Sequence, residues 1–198
     1  MARVLNINIK GYEDVVKQLN SMNKDSAKVI NRTIGDIKSR GPGWISQEVT
    51  KEYNIKKKDV NGTKKVVKKA GSFRVSGEKL DNLVIIYQGR LLTPIHFRMT
   101  PTVRPVNGRS YTVRVRIKKN GGRKALGSNV FLGKSGREGT VQISFQRVGK
   151  RRLPIKAIKT LSVPQMITNE TVSENIHKRM NEEIAKRLDH NLKRILGK

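Results

Sequence analysis

Metal binding and acid–base catalysis need side chains that converge, and the three histidines of this 198-residue chain are the first to test. His96 falls in an apolar stretch that reads as a strand. His177 and His190 lie thirteen residues apart in one C-terminal helical pattern, which places them about 220° apart around the helix axis. They do not share a face, and no His-x-x-x-His metal spacing occurs. With no cysteine in the chain, thiolate metal sites, disulfides and a cysteine nucleophile are excluded. Carboxylates are scattered too. Asp59, Glu78, Asp81 and Glu138 are the only acids in residues 54–160, and the adjacent Glu182 and Glu183 read as solvent-facing on a helix. Serines abound, but none sits in a nucleophile elbow. Residues 122–128 resemble a phosphate loop only superficially, because the lysine comes too early. These residues predict a protein that is not an enzyme and holds no cofactor or metal.

What stands out chemically is charge. The chain carries 43 Lys and Arg against 15 Asp and Glu, a net +28. Residues 1–53 contribute +3, residues 161–198 contribute +2, and residues 54–160 carry the other +23. The excess is therefore central, not a basic tail. Self-repulsion at this charge is costly unless an acidic surface or nucleic acid lies nearby. Lys56, Lys57, Lys58, Lys64, Lys65, Lys68 and Lys69 form the densest cluster. Two readings stay open for it, contact with DNA or an acidic partner and a solvated loop. Zinc ligands, leucine-zipper heptads and an aromatic RNA-binding sheet signature are all missing. Aromatics are 5% of the chain, too few for a stacking platform, so any nucleic-acid contact would be sequence-independent.

Length and composition predict one domain with a modest core. Leu, Ile, Val and Phe make up about 27% of residues, above the level at which chains stay disordered. The longest apolar run is Leu83–Tyr87, far short of a membrane span. Residues 1–10 alternate apolar and polar side chains without a signal-peptide core, so synthesis in the cytoplasm and no membrane partner are expected.

The elements that must position these charges follow from periodicity. Residues 3–9 alternate as a strand. Glu13 and Asp14 open a helix with Val15, Val16, Leu19 and Met22 inward. A second helix runs through Ala27, Ile30, Ile34 and Ile37. Gly41-Pro42-Gly43 predicts a break or kink, and a short helix then continues to about Tyr53 with Trp44, Ile45 and Val49 inward, Trp44 as a core residue. A short helix to Val60 and a strand at 63–70 follow. Strands are predicted at Asn82–Gln88, Ile95–Met99, Ser110–Lys118, Asn129–Leu132 and Thr140–Gln146. In the third of these, Tyr111, Val113, Val115 and Ile117 share one face while Arg114 and Arg116 point the other way, available to DNA or an acidic partner. From Val172 to Leu196 a stripe of Val172, Ile176, Met180, Ile184, Leu188, Leu192 and Ile195 marks a long helix.

Residues 129–164 read NVFLGKSGREGTVQISFQRVGKRRLPIKAIKTLSVP. They comprise a Phe-bearing strand, a glycine turn, a second strand ending in Arg-Val-Gly-Lys, a basic pair, Leu-Pro-Ile, and Val-Pro before the long helix. This pattern resembles the phage minor tail protein Z family, whose members act in tail completion. Residues 31–53 resemble the family's second helix, although the family's helix is uninterrupted where Gly41-Pro42-Gly43 stands here. The resemblance implies an α+β fold, with an antiparallel β-sheet flanked by N-terminal helices and a long C-terminal helix, and a protruding β-hairpin. It implies a virion protein at the head-proximal end of a tail, completing or terminating it. It further implies a homo-hexameric ring that meets tail-tube and neck proteins and encloses DNA in its lumen.

Within that frame the strands bounding residues 133–139 would reach a neighbour. Phe131, Phe145, Arg147, Lys150, Arg151, Arg152, Leu153, Pro154 and Ile155 are the expected assembly interface. The bland alternative for residues 147–155 is a solvated turn beside a buried Leu153 and Ile155. Two other functions remain. One is a free, basic, sequence-independent nucleic-acid-binding protein. The other is a nuclease or similar toxin, against which the scattered acids and histidines speak.

Overall fold

A computed structural model describes residues 24–61, 71–77, 83–106, 110–135 and 141–196. The strand expected at 3–9, the helix begun by Glu13 and Asp14, and the strand expected at 63–70 lie outside these residues, as does the turn at the tip of the predicted hairpin, residues 136–140.

Helix α1 (Lys24–Glu52) continues unbroken through Gly41-Pro42-Gly43, which corrects the expected division into two helices. The physical reason lies in what the helix buries on either side. Ile37 and Ile45 are fully buried, and Trp44 is nearly so. Each such side chain contributes roughly 1.5–3 kcal/mol, enough together to offset the ~3 kcal/mol cost of an internal proline. Gly41 also lets the backbone approach the core closely. A Cβ there would come within 3.3 Å of Ile85 Cδ1 and 3.8 Å of Met180 Cε.

A short helix α2 (Lys57–Asn61) follows, in keeping with the helix expected up to Val60. The β region then forms three small antiparallel sheets. Strands β1 (Gly71–Ser76) and β2 (Val84–Gly89) make the first. Strands β3 (Arg98–Thr100), β4 (Arg114–Arg116) and β5 (Lys124–Ala125) make the second, in that order. Strands β6 (Val130–Ser135), β7 (Val141–Arg147) and β8 (Ile155–Ala157) make the third. Helices α3 (Val163–Ile167) and α4 (Glu170–Leu196) close the chain. The architecture is α+β, as expected.

Two strands differ from expectation for local reasons. Pro94 opens a 3-10 turn over Pro94–His96, with the His96 N–H donating to Thr93 O (3.1 Å) and the Phe97 N–H to Pro94 O (3.0 Å). The strand expected from Ile95 therefore starts at Arg98. The strand expected at Ser110–Lys118 forms ladders only over Arg114–Arg116, because its partners β3 and β5 are themselves three and two residues long, and beyond them Lys118 makes a single antiparallel bridge with Tyr53. Its inward face is as predicted: Val113 and Val115 are buried.

The main core lies between α1, α3, α4 and β2. Helices α1 and α4 run antiparallel, with Thr33 meeting Asn191 near one end and Glu48 meeting Arg179 near the other. The α4 stripe is buried from Val172 to Leu188. A second, smaller core of Met99, Val113, Val130 and Leu132 joins the second and third sheets. Helix α3 starts at a capping box. The Ser162 N–H donates to Gln165 Oε1 (2.9 Å), and the Gln165 N–H donates to Ser162 Oγ (3.4 Å).

Candidate functional site

The third sheet brings the expected interface residues together. Along β6 the side chains alternate, so buried Val130 and Leu132 face the small core while Phe131 and Gly133 face outward. Phe131 pairs in register with Phe145, and Phe145 with Ala157; Gly133 pairs with Ile143, and Arg147 with Ile155. The outer face therefore carries two phenylalanines side by side. Their ring centroids lie 6.0 Å apart at 27°, within the range where aromatic pairs attract. The Arg147 guanidinium lies over Phe131 at 5.0 Å, a cation–π contact. Gly133 makes room for this arrangement: a Cβ there would lie 3.0 Å from Phe145 Cδ2 and 3.1 Å from Cε2.

The connection from β7 to β8 is clasped from both sides. Arg147 Nη1 donates to Arg152 O (3.0 Å), and the Val148 N–H donates to Pro154 O (3.1 Å). Lys150, Arg151 and Arg152 are all exposed at this end. So are the apolar residues: Leu153 is 66% exposed, Val148 53% and Ile155 37%. The bland alternative, in which Leu153 and Ile155 are buried beneath a solvated turn, does not describe this hairpin.

The expected cationic contacts are more dispersed. Lys56, Lys57 and Lys58 are exposed at the start of α2, and Arg114 is exposed on β4. Arg116 is committed to its own turn, its Nε donating to Gly121 O (2.9 Å) and its Nη2 to Lys119 O. Lys64, Lys65, Lys68 and Lys69 lie outside the described residues. His177 and His190 are exposed on α4, and His96 Nδ1 lies 3.7 Å from Asp59. Among the described residues no group of His, Asp and Glu is placed to hold a metal ion.

A family model described as Prophage minor tail protein Z (GPZ) matches residues 9–198. The chain belongs to that family. No curated protein and no solved structure matches it. Membership makes it a phage or prophage minor tail protein, and the hairpin just described is how this member presents the Arg-Val-Gly-Lys and Leu-Pro-Ile segments of its sequence.

In this tail protein two polar contacts escaped the sequence reading. Glu48 lies in the α1–α4 seam with only 4% of its side chain exposed. It accepts from Arg179 Nη1 and from Lys51 Nζ, each at 2.8 Å. Burial pushes its carboxyl up, but the hydrogen bonds from Lys51 and Arg179 outweigh that and leave it below its ordinary 4.5. Buried Asn191 donates to Thr33 Oγ1 (3.1 Å) and Asp36 Oδ2 (3.3 Å). One signal was available for each: Glu48 stands three residues after Ile45 and Asn191 three after Leu188, polar residues set in apolar stripes. Burial also raises the phenols of Tyr53 and Tyr87, with Glu52 adding to the effect at Tyr53.

Proposed function

We propose that this minor tail protein is a structural subunit that completes or terminates the head-proximal end of the tail tube and joins it to the neck, acting through assembly and not through catalysis. Six copies in a ring around the DNA channel is the arrangement that fits best. The observation that carries the reading is the β7–β8 end, where Val148, Leu153 and Ile155 are exposed amid Lys150, Arg151 and Arg152. Apolar side chains displayed on a backbone-clasped hairpin give up contact with water only when a partner covers them. A ring needs such a patch to meet a different patch on the next copy. The virion is then the place of work, and among the described residues no helix is long and apolar enough to cross a membrane.

Electrostatics says what else the ring must touch. Six chains at +28 would carry about +168, whereas a duplex threading a ring on the order of 40 Å tall presents only about 24 phosphates per strand pair. Most of the basic surface must therefore meet acidic neighbouring proteins, with a minority lining the channel. Assembly on tails should weaken steeply with salt.

The test is complementation of a phage deleted for this gene. Wild-type protein restores infectious particles. A Leu153→Ser, Ile155→Ser variant folds normally, since both residues are exposed, yet restores few. Full infectivity from the deletion strain alone, or undiminished rescue by the variant, overturns the proposal.

A further inference from the structure

A second site lies away from the hairpin. The C-terminal end of α1 and the turn after β4 are tied by backbone hydrogen bonds, Asn54 N–H to Ile117 O and Lys119 N–H to Glu52 O, both 2.8 Å. Asn54 Nδ2 adds a third bond to Lys118 O (3.1 Å). Between this tie and β3 opens a cleft of about 790 Å³. Lys56, Lys57 and Lys58 from the start of α2, Arg98 from β3 and Lys119 from the turn line it. All five are exposed, and none of the five side chains has an ion-pair or hydrogen-bond partner among the described residues. The one carboxylate in the lining, Asp59, faces His96. Three segments far apart in sequence thus deliver five uncompensated cations to one concave surface with a rigid backbone frame.

We propose that this cleft binds a phosphodiester backbone, independently of base sequence. A concave site lined with one sign of charge focuses its field and concentrates a polyanion. Four of the five cations are lysines. Lysine meets a phosphate as a point charge with freely rotating donors, so the cleft can follow a chain of phosphates without demanding one bidentate geometry, and an acidic peptide is the competing occupant that the experiment separates. No base-reading constellation lines the cleft, in keeping with contacts that position a backbone without reading it. The inference rests on the tail reading only for the origin of the nucleic acid; the cleft belongs to the isolated chain.

The experiment measures fluorescence anisotropy of labelled single-stranded and duplex oligonucleotides of random sequence, with the full-length protein, across a salt series. If all five cations engage a single strand, log K falls against log salt with a slope of about −3.5. An Arg98→Gln, Lys119→Gln variant makes that slope shallower by about 1.4 and weakens binding on the order of 20-fold at 0.1 M salt. A Lys178→Gln, Arg194→Gln control removes the same charge from exposed positions on α4 and changes binding less than threefold. The strand form that binds more tightly identifies the source of the backbone. Equal losses in both variants, absent oligonucleotide binding, or tighter binding of a polyglutamate peptide each overturns the proposal. Complementation read in parallel separates the two readings. Rescue by a protein that binds no oligonucleotide removes the cleft and leaves the tail role, while oligonucleotide binding beside a fully infectious deletion strain does the reverse.

Discussion

Replacing Arg179 by Met tests how the two long helices are held. Arg179 Nη1 sits 2.8 Å from Glu48 Oε1, with 28% of the arginine side chain and 4% of the glutamate side chain exposed. Breaking a fully buried ion pair costs about 3–5 kcal/mol, because a charge is left stranded. Here the loss is smaller, since Lys51 still reaches the carboxylate at 2.8 Å from its largely exposed position. A loss of about 2 kcal/mol is expected, which for a chain of this size lowers Tm by about 4–8 °C. Thermal unfolding followed by circular dichroism at the helix band reads it directly. Two companions sharpen the test. Lys51→Met should cost under about 0.5 kcal/mol, as for other exposed pairs. Adding Glu48→Leu to Arg179→Met should recover most of the loss, since no buried charge is left unpaired. The pH dependence has a definite sign. The Glu48 carboxyl lies below its ordinary 4.5 in the folded protein, so its stabilising contribution is present above that value and fades as pH falls through the folded pKa. The difference between wild type and Arg179→Met should thus be full at neutral pH and shrink progressively as pH falls below the ordinary 4.5 and through the lower folded pKa. A variant within 1 °C of wild type at pH 7, or a double variant worse than the single, would refute the argument.

Two further substitutions probe the seam and the outer sheet. Gly133→Val drives a side chain into the Phe145 ring, already 3.0 Å from the position of a Cβ, and should cost about 1–3 kcal/mol; a Tm unchanged from wild type would show that the ring moves aside freely. Asn191→Ala removes the donor to Thr33 Oγ1 and Asp36 Oδ2 and should cost about 1–3 kcal/mol. Chemical denaturation with an unchanged m-value measures that loss, and a midpoint equal to wild type would count against it.

The helices were legible because their signal repeats. Seven apolar residues over 24 positions specify the buried face of α4, and no local residue can overrule them. Gly41-Pro42-Gly43 was misread for the converse reason. A local rule about proline was weighed without the burial of Ile37, Trp44 and Ile45, which only the tertiary structure supplies. Short strands were the least legible elements. β5 and β8 are two and three residues long and exist only because β4 and β7 offer them a ladder, a non-local fact that period-two alternation cannot encode. At the hairpin the chain's turn and its basic pair could be read from sequence, whereas Leu153 and Ile155 were placed at an interface only through the family resemblance. Residue type alone leaves an apolar residue beside a proline open between core and interface, and the backbone decides by showing that nothing in the chain covers Leu153.

Charge and fold divide the molecule in the same way. Among the described residues the ion pairs to carboxylates engage Arg40, Lys51, Arg179, Lys186 and Lys193, all on α1 or α4, and, of the Lys and Arg residues of the β region, only Lys118. The helical layer thus neutralises itself while it folds. The β region, which holds +23 of the net charge over residues 54–160, leaves nearly all its described cations without carboxylate partners. Arg116 and Arg147 hold their own turns through backbone carbonyls, but the mutual repulsion of the unpaired cations opposes the folded monomer. The helical core carries the stability that makes such a surface tolerable. Binding a polyanion in the cleft, or acidic protein around the hairpin, relieves that repulsion. The bound chain should therefore unfold at a higher temperature than the free one, with a gain that shrinks as salt screens both the repulsion and its relief.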